Sequence, residues 1–233
     1  MIHRRPCKTD HVRTRPLIPV LIAAALVLGG CSGSSGGKID PSKLAARLAT
    51  AKQTLDAAET INISLATGKL PSGVTGLLSA KGVGNHTPAF KGKVTVITGG
   101  TSLGADVIAV GGKVYAKTSF APGYLSIDPA SLKAPDPASL LDADTGITQI
   151  LTKTQKLSDG GKSRDGSDVL STIKGSLPGS VVRTIIPSAD AARTFTVTYR
   201  LDAKNVLRDV TLAGKFYPDG GNVTYTVKLT TSD

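Results

Sequence analysis

The sequence predicts an α+β fold in which helices cover one face of a large antiparallel β-sheet, and three observations carry that expectation. Apolar residues recur at every second position over long stretches, most clearly in Phe195, Val197, Tyr199 and Leu201, which alternate with Thr194, Thr196, Thr198 and Arg200. Paired glycines, Gly99-Gly100 and Gly111-Gly112, punctuate the earlier alternating stretches where two-residue hairpin turns need positive φ. A stretch of helical spacing comes first, and a Pro- and Asp-rich segment divides the two runs of strands.

The first 37 residues lie outside this pattern. Arg4, Arg5, Lys8, Arg13 and Arg15 precede an apolar run from Leu17 to Leu28 of about 12 residues, the length of a signal-peptide core rather than of a span of ~20. The run closes in Leu28-Gly29-Gly30-Cys31, which resembles the lipobox read by bacterial lipoprotein signal peptidase. That resemblance implies removal of residues 1–30 and a diacylglycerol on the Cys31 thiol, with a second, N-linked chain such as palmitate giving the two-signal anchoring that stable membrane attachment needs. Residues 32–37, Ser-Gly-Ser-Ser-Gly-Gly, read as a flexible tether with a reach of roughly 13 Å. Residues 40–233 are then expected to form a single domain at the outer face of the cell membrane, in the envelope or periplasm.

Asp40 is a plausible N-cap and Pro41 suits the first helical turn, with Leu44, Leu48, Ala51, Leu55 and Ala58 forming one apolar stripe. After Glu59 the period becomes two, with Ile61, Ile63 and Leu65 on one side. Further strands are expected over 74–83, 91–98, 103–110 and 113–118. Short helices are expected at 137–142 and 145–155, each opened by an Asp or Thr cap. Strands resume at 156–164 and 168–176 around Asp165-Gly166. Val181, Val182, Ile185 and Ile186 have helical spacing, which Pro178 and Gly179 restrict to the later half of that segment. Three strands follow, over 194–201, 207–216 and 223–229.

Composition narrows the functions open to this chain. The whole sequence carries +11, and removing residues 1–30 takes away five Lys or Arg and one Asp, leaving 23 against 16 and a formal +7. An exported, tethered chain without a recognisable nucleic-acid module meets anionic headgroups or wall polymers, so nucleic acid is set aside. Cys7 lies in the discarded segment and Cys31 is taken by lipid, which leaves no disulfide and no thiol chemistry. With four Phe, five Tyr and no Trp, the chain also has few of the side chains that fill large cores. An enzyme needs a constellation that is missing here. His86 is the one histidine of the mature chain, in the loop-like Gly84-Asn85-His86-Thr87-Pro88, and reads as an exposed loop residue rather than a catalytic or metal-binding one. Ser171-Thr172-Ile173-Lys174 matches Ser-x-x-Lys only by spacing, since residues three apart on a strand face opposite ways. Asp142, Asp144, Asp165 and Asp168 suit caps and turns better than a calcium loop or a catalytic pair. No catalytic residue, metal site or cofactor is expected.

The segment Ala105-Asp106-Val107-Ile108-Ala109-Val110-Gly111-Gly112-Lys113-Val114-Tyr115-Ala116, the block Asp136-Pro137-Ala138-Ser139-Leu140-Leu141 and the following Asp144-Thr145-Gly146 carry a further signal. In that order, behind the lipobox and leading helix, they resemble the LppX/LprAFG family of actinobacterial envelope lipoproteins, above all its LprG-like members. The resemblance implies a half-barrel sheet curled over helices around an apolar cavity, and a role in carrying triacylated lipids or glycolipids between envelope layers. It also implies work alongside an exporter of the major facilitator type. Strand alternation puts Ile61, Ile63 and Leu65 on one face, and Val94 and Val96 on one face. If that face lines the cavity, the candidate lining also takes in Val107, Ala109, Leu141, Ile147 and Ile150, with Val181, Val182, Ile185 and Ile186 near the mouth. Burial of acyl methylenes at ~0.8 kcal/mol each supplies affinity without a polar constellation. The alternative is a structural or adhesive envelope lipoprotein whose core is filled and which takes no ligand.

Overall fold

The computed structural model describes residues 39–232 apart from Lys133 and Asp219. The expected signal peptide, Cys31 and the tether lie outside the described residues. Helix α1 (Pro41–Ala57) opens as its sequence dictates: the Asp40 carboxylate accepts the Ser42 N–H at 2.8 Å and Pro41 occupies the first turn. Its stripe of Leu44, Leu48, Ala51 and Leu55 is fully buried.

Eleven strands form one sheet. In chain order they are β1 (Thr60–Thr67), β2 (Gly76–Asn85), β3 (Ala89–Thr98), β4 (Thr101–Val110), β5 (Lys113–Thr118), β6 (Leu125–Ile127), β7 (Gln155–Asp165), β8 (Asp168–Pro178), β9 (Thr194–Leu201), β10 (Leu207–Gly214) and β11 (Val223–Ser232). The spatial order is β6-β5-β4-β3-β2-β1-β11-β10-β9-β8-β7, antiparallel throughout. Two meanders are thus fused where the first strand pairs with the last, Ile63 opposite Leu229 and Leu65 opposite Val227. The sheet is open rather than a closed barrel: β6 and β7 are its free edges. Edge pairing is discouraged at one side by the three-residue length of β6 and at the other by the two register shifts between β7 and β8. Both glycine pairs turn hairpins with positive φ, at 56° and 77° for Gly99 and Gly100 and at 59° and 69° for Gly111 and Gly112.

Helix α2 (Gln149–Lys153) is shorter than the 145–155 expected, and the expected 137–142 helix is a single 3₁₀ turn at Ser139–Leu141, preceded by another at Pro129–Leu132. The residues between are consumed by a tight loop. Asp142 Oδ1 accepts from the Asp144 and Thr145 amides and the Thr145 hydroxyl, while the Gly146 amide donates to the Asp142 carbonyl and that of Ile147 to Leu140. Gly146 is required there because a Cβ would sit 2.3 Å from the Asp142 carbonyl oxygen. Helix α3 (Gly179–Ile185) begins at Gly179 itself and not in the later half of its segment. Gly179 does not break it. Its amide donates to Arg193 at 2.7 Å, and a Cβ would lie 2.1 Å from the Asp190 carbonyl oxygen, so only glycine admits so close a chain approach.

Candidate functional site: an apolar cavity on one half of the sheet

The register fixes which side chains share a face, and that face differs in its two halves. From β11 to β8 it carries Tyr225, Val227 and Leu229, then Val210, then Phe195, Val197, Tyr199 and Leu201, then Ile173 and Leu177. All are buried, in one cluster with the stripe of α1, Ile150 and Leu151 of α2, and Val182 and Ile185 of α3. Phe216 joins it edge-on to Phe195 and Tyr225, with ring centroids 4.9 and 5.0 Å apart. This half is filled. From β2 to β5 the same face is built largely from small residues. Gly84, Gly82 and Ala80 stand opposite Phe90, Gly92 and Val94, which in turn meet Ala109, Val107 and Ala105.

Small residues leave a hollow. A cavity of about 90 Å³ lies over this half, floored by Ile63 and Leu65 of β1, Leu77 and Ala80 of β2, Phe90, Val94 and Val96 of β3, Val107, Val114 and Ile127. The Phe90 ring sits against Gly82 and Gly92 because they have no Cβ: one at either position would come within 2.6 Å of its Cζ. The roof is a strap between β6 and α2, contributing Pro129, Leu132, Ala134, Pro135, Pro137 and Leu140. The strap contains one short sequence twice, Asp128-Pro129-Ala130-Ser131-Leu132 and Asp136-Pro137-Ala138-Ser139-Leu140. Each copy folds alike. The Asp carboxylate accepts the amide two residues on, Ala130 at 3.0 Å or Ala138 at 2.9 Å, and the Ser hydroxyl donates to the Asp carbonyl. That turn aims the Pro and Leu of each copy at the hollow. The duplication was the signal by which the roof could have been found in the sequence.

One end of the cavity meets a polar cleft of about 520 Å³, with Leu132 common to both and Ser72, Thr75, Thr98, Ser131 and Tyr217 around it. Tyr225 fixes this rim: its hydroxyl donates to the Leu77 carbonyl at 2.6 Å and lies 2.9 Å from the Tyr217 hydroxyl. Burial pushes both phenols above their ordinary range, so they stay neutral. At the opposite end His86 joins two elements. Its Nδ1 is 2.6 Å from the Leu141 carbonyl and its Nε2 2.8 Å from that of Leu55, so a half-buried strap replaces the exposed loop residue expected. Both ring nitrogens face carbonyl oxygens, a structural role that leaves neither free to act on a substrate.

Of the residues singled out from sequence, Ile63, Leu65, Val94, Val96 and Val107 line the hollow. Ile61, Leu141 and Ile147 surround a separate gap of about 10 Å³ behind it, no larger than one water. Ala109 and Ile150 are packed in the core. Val181, Val182, Ile185 and Ile186 belong to or follow α3, which packs on β8 and β9 across the filled half, away from the lining. Strand alternation could assign Ile61, Ile63, Leu65, Val94 and Val96 to a face, and helical spacing could group Val181, Val182, Ile185 and Ile186, but neither could place a residue in one half of the sheet. Among the described residues no three His, Cys, Asp or Glu are grouped to hold a metal, and no helix is long and apolar enough to cross a membrane.

Residues 40–233 match the sequence profile of the LppX_LprAFG lipoprotein family. The chain belongs to that family. It is a family of lipoproteins and not of enzymes. Curated relatives include the lipoarabinomannan carrier protein LprG of Mycobacterium tuberculosis and its counterpart in Mycobacterium bovis, each 29% identical over 197 residues that span 84% of this chain and 80% of the relative. Among solved structures, LprF from Mycobacterium bovis superposes with a TM-score of 0.65 at 15% identity, covering 83% of this chain and 94% of LprF. LppX from Mycobacterium tuberculosis does so at 0.57 and 17%, covering 82% and 95%. At such identities the two structures establish the shared fold, the large open antiparallel sheet described above.

Proposed function

We propose that this protein is a lipid-anchored carrier of acylated lipids or glycolipids in the cell envelope, held to the outer face of the membrane through Cys31. The observation that carries the reading is the asymmetry of the sheet: one half is packed with Phe, Tyr and Leu, while the same face of the other half intersperses Gly and Ala among Val and a single Phe beneath a strap of Pro, Leu and Ala side chains. An acyl chain suits such a hollow, and the adjoining polar cleft at Ser72, Thr98 and Tyr217 suits a headgroup. The lipoarabinomannan carried by LprG supports a glycolipid cargo by kinship. At about 90 Å³ the hollow is smaller than the ~300–1,000 Å³ of sites that enclose whole ligands, so it takes part of one chain, and a triacylated cargo requires the strap to move outward. The same small volume favours the second reading, a ligand-free envelope lipoprotein with a filled core. Organic extraction of the purified full chain followed by mass spectrometry decides between them. Co-purified acyl lipid in near-stoichiometric amount is expected, and its absence from protein made in a lipid-replete envelope overturns the carrier reading. Cys31→Ala tests the anchor separately: the variant is expected to leave the detergent phase, and its retention there with the leader removed would contradict the assignment.

A further inference from the structure

The sheet edge beside the cavity ends in an apolar tip that nothing in the described chain covers. Residues 119–124 join β5 to β6, and here Phe120 is 88% exposed, with Tyr124 and Leu125 exposed as well at 44% and 62%. Singly exposed apolar residues need no explanation, but three within six positions form a patch of the kind that marks an interaction surface. From Thr118 to Ile127 the sequence holds no Asp, Glu, Lys or Arg. The pairing carries this surface inward: Leu125 stands opposite Ala116, and the next pair on the same face is Ile127 with Val114, both of which line the cavity. The chain then runs from Ile127 to Pro129 at the start of the roof. On the other face of the sheet, behind the tip, a cross-strand row reads Lys81, Lys93, Asp106, Lys117. Its one carboxylate is held by Lys93 at 2.9 Å, which leaves the row net cationic.

We propose that this edge is a second membrane contact, independent of the N-terminal anchor. Phe120, Tyr124 and Leu125 enter the boundary between headgroups and acyl chains of an anionic phospholipid bilayer, and Lys93 and Lys117 face its phosphates. Charge and chemistry together select a lipid surface as occupant. An aromatic ring, a phenol and an aliphatic side chain on an uncharged loop match the interfacial layer, and the cationic row behind them complements anionic headgroups. Resting on the carrier reading, the cargo's acyl chain then passes between bilayer and cavity along β6, without crossing water.

The chain has no tryptophan, so Phe120→Trp creates a single reporter at a site too exposed to perturb the core. The full-length variant is mixed with phosphatidylglycerol–phosphatidylcholine vesicles whose acyl chains are brominated. Val110→Trp serves as the control, being 51% exposed at the opposite end of β5 in the β4–β5 hairpin. The indole at position 120 is expected to shift to the blue and lose at least half its emission, more so with more phosphatidylglycerol and less at high salt, while that at 110 is unaffected. Unchanged emission at 120, as a protein-binding loop would give, or equal quenching at both positions, overturns the proposal. Transfer of a pyrene-labelled phospholipid between vesicles separates the two claims. The pair Phe120→Ser with Leu125→Ser is expected to slow transfer about tenfold with bound lipid per protein unchanged. Equal transfer by this pair and the unaltered chain refutes the docking route and leaves the carrier reading standing. If Phe120→Trp docks by quenching but the unaltered chain moves no lipid, docking stands and the carrier reading fails.

Discussion

Replacing Ala80 by Leu adds three carbons to the floor of the cavity, between Leu65 on one neighbouring strand and Val94 on the other. Burying three methylene-sized groups is worth roughly 2.4 kcal/mol at ~0.8 kcal/mol each. A second route gives the same size: at ~24 cal/mol per Å³, filling about 90 Å³ recovers about 2 kcal/mol. In a domain of this length each kcal/mol moves the melting temperature by about 2–4 °C, so delipidated Ala80→Leu is expected to melt about 4–8 °C above the unaltered protein. The leucine would occupy the space an acyl chain needs. Lipid recovered per protein should therefore fall as stability rises, an opposition that ordinary core mutations do not produce. Calorimetry of the delipidated protein and mass spectrometry of extracts from the same preparations read the two quantities. If the floor were already packed, the added carbons would overfill it at a cost of about 1–3 kcal/mol. A lowered melting temperature with undiminished lipid would refute the reasoning.

Gly92→Ala places a Cβ 2.4 Å from the Lys81 carbonyl oxygen and 2.6 Å from Phe90 Cζ, so chemical denaturation should show a loss of about 1–3 kcal/mol and the ring should leave the floor. His86→Ala removes the imidazole set between the Leu55 and Leu141 carbonyls and is expected to cost about 1–3 kcal/mol in the same assay. The Asp142 carboxylate is held below its ordinary range, first by the Thr145 hydroxyl and then by the Thr145 and Asp144 amides. Its contribution is therefore present above the unfolded-state value near ~3.9 and is lost as pH falls through the lower folded-state value. Asp142→Asn should flatten that part of the stability–pH profile.

The parts of the fold written in local chemistry were legible in the sequence. Asp40-Pro41 started α1, the glycine pairs turned the hairpins, and strict alternation marked β9 and β11. What was not legible depended on contacts distant in sequence. The pairing of β1 with β11, which fuses two meanders into one sheet, leaves no trace in either strand. β6 has only three residues, too few for a period to appear. Gly179 looked like a breaker because the close approach of Asp190 and Arg193 that requires it is tertiary. In the site, alternation put Ile63 and Leu65 on one face of their strand and Val94 and Val96 on one face of theirs. It could not separate them from Ile61 and Ala109, which differ only in what packs above them. The roof was hidden behind its prolines, which suppress both periodicities, although the repeated Asp-Pro-Ala-Ser-Leu announced two equivalent turns.

The central claim is that the hollow between β1–β6 and the strap receives an acyl chain. A phospholipid carrying a diazirine along its acyl chain, loaded into the delipidated full chain and photolysed, tests it residue by residue. Peptide mapping is expected to find adducts on Leu65, Val94 and Phe90 of the floor and on Pro129, Leu132 and Leu140 of the roof. Adducts confined to Val181–Ile186, or an unlabelled protein at saturating lipid, would contradict it.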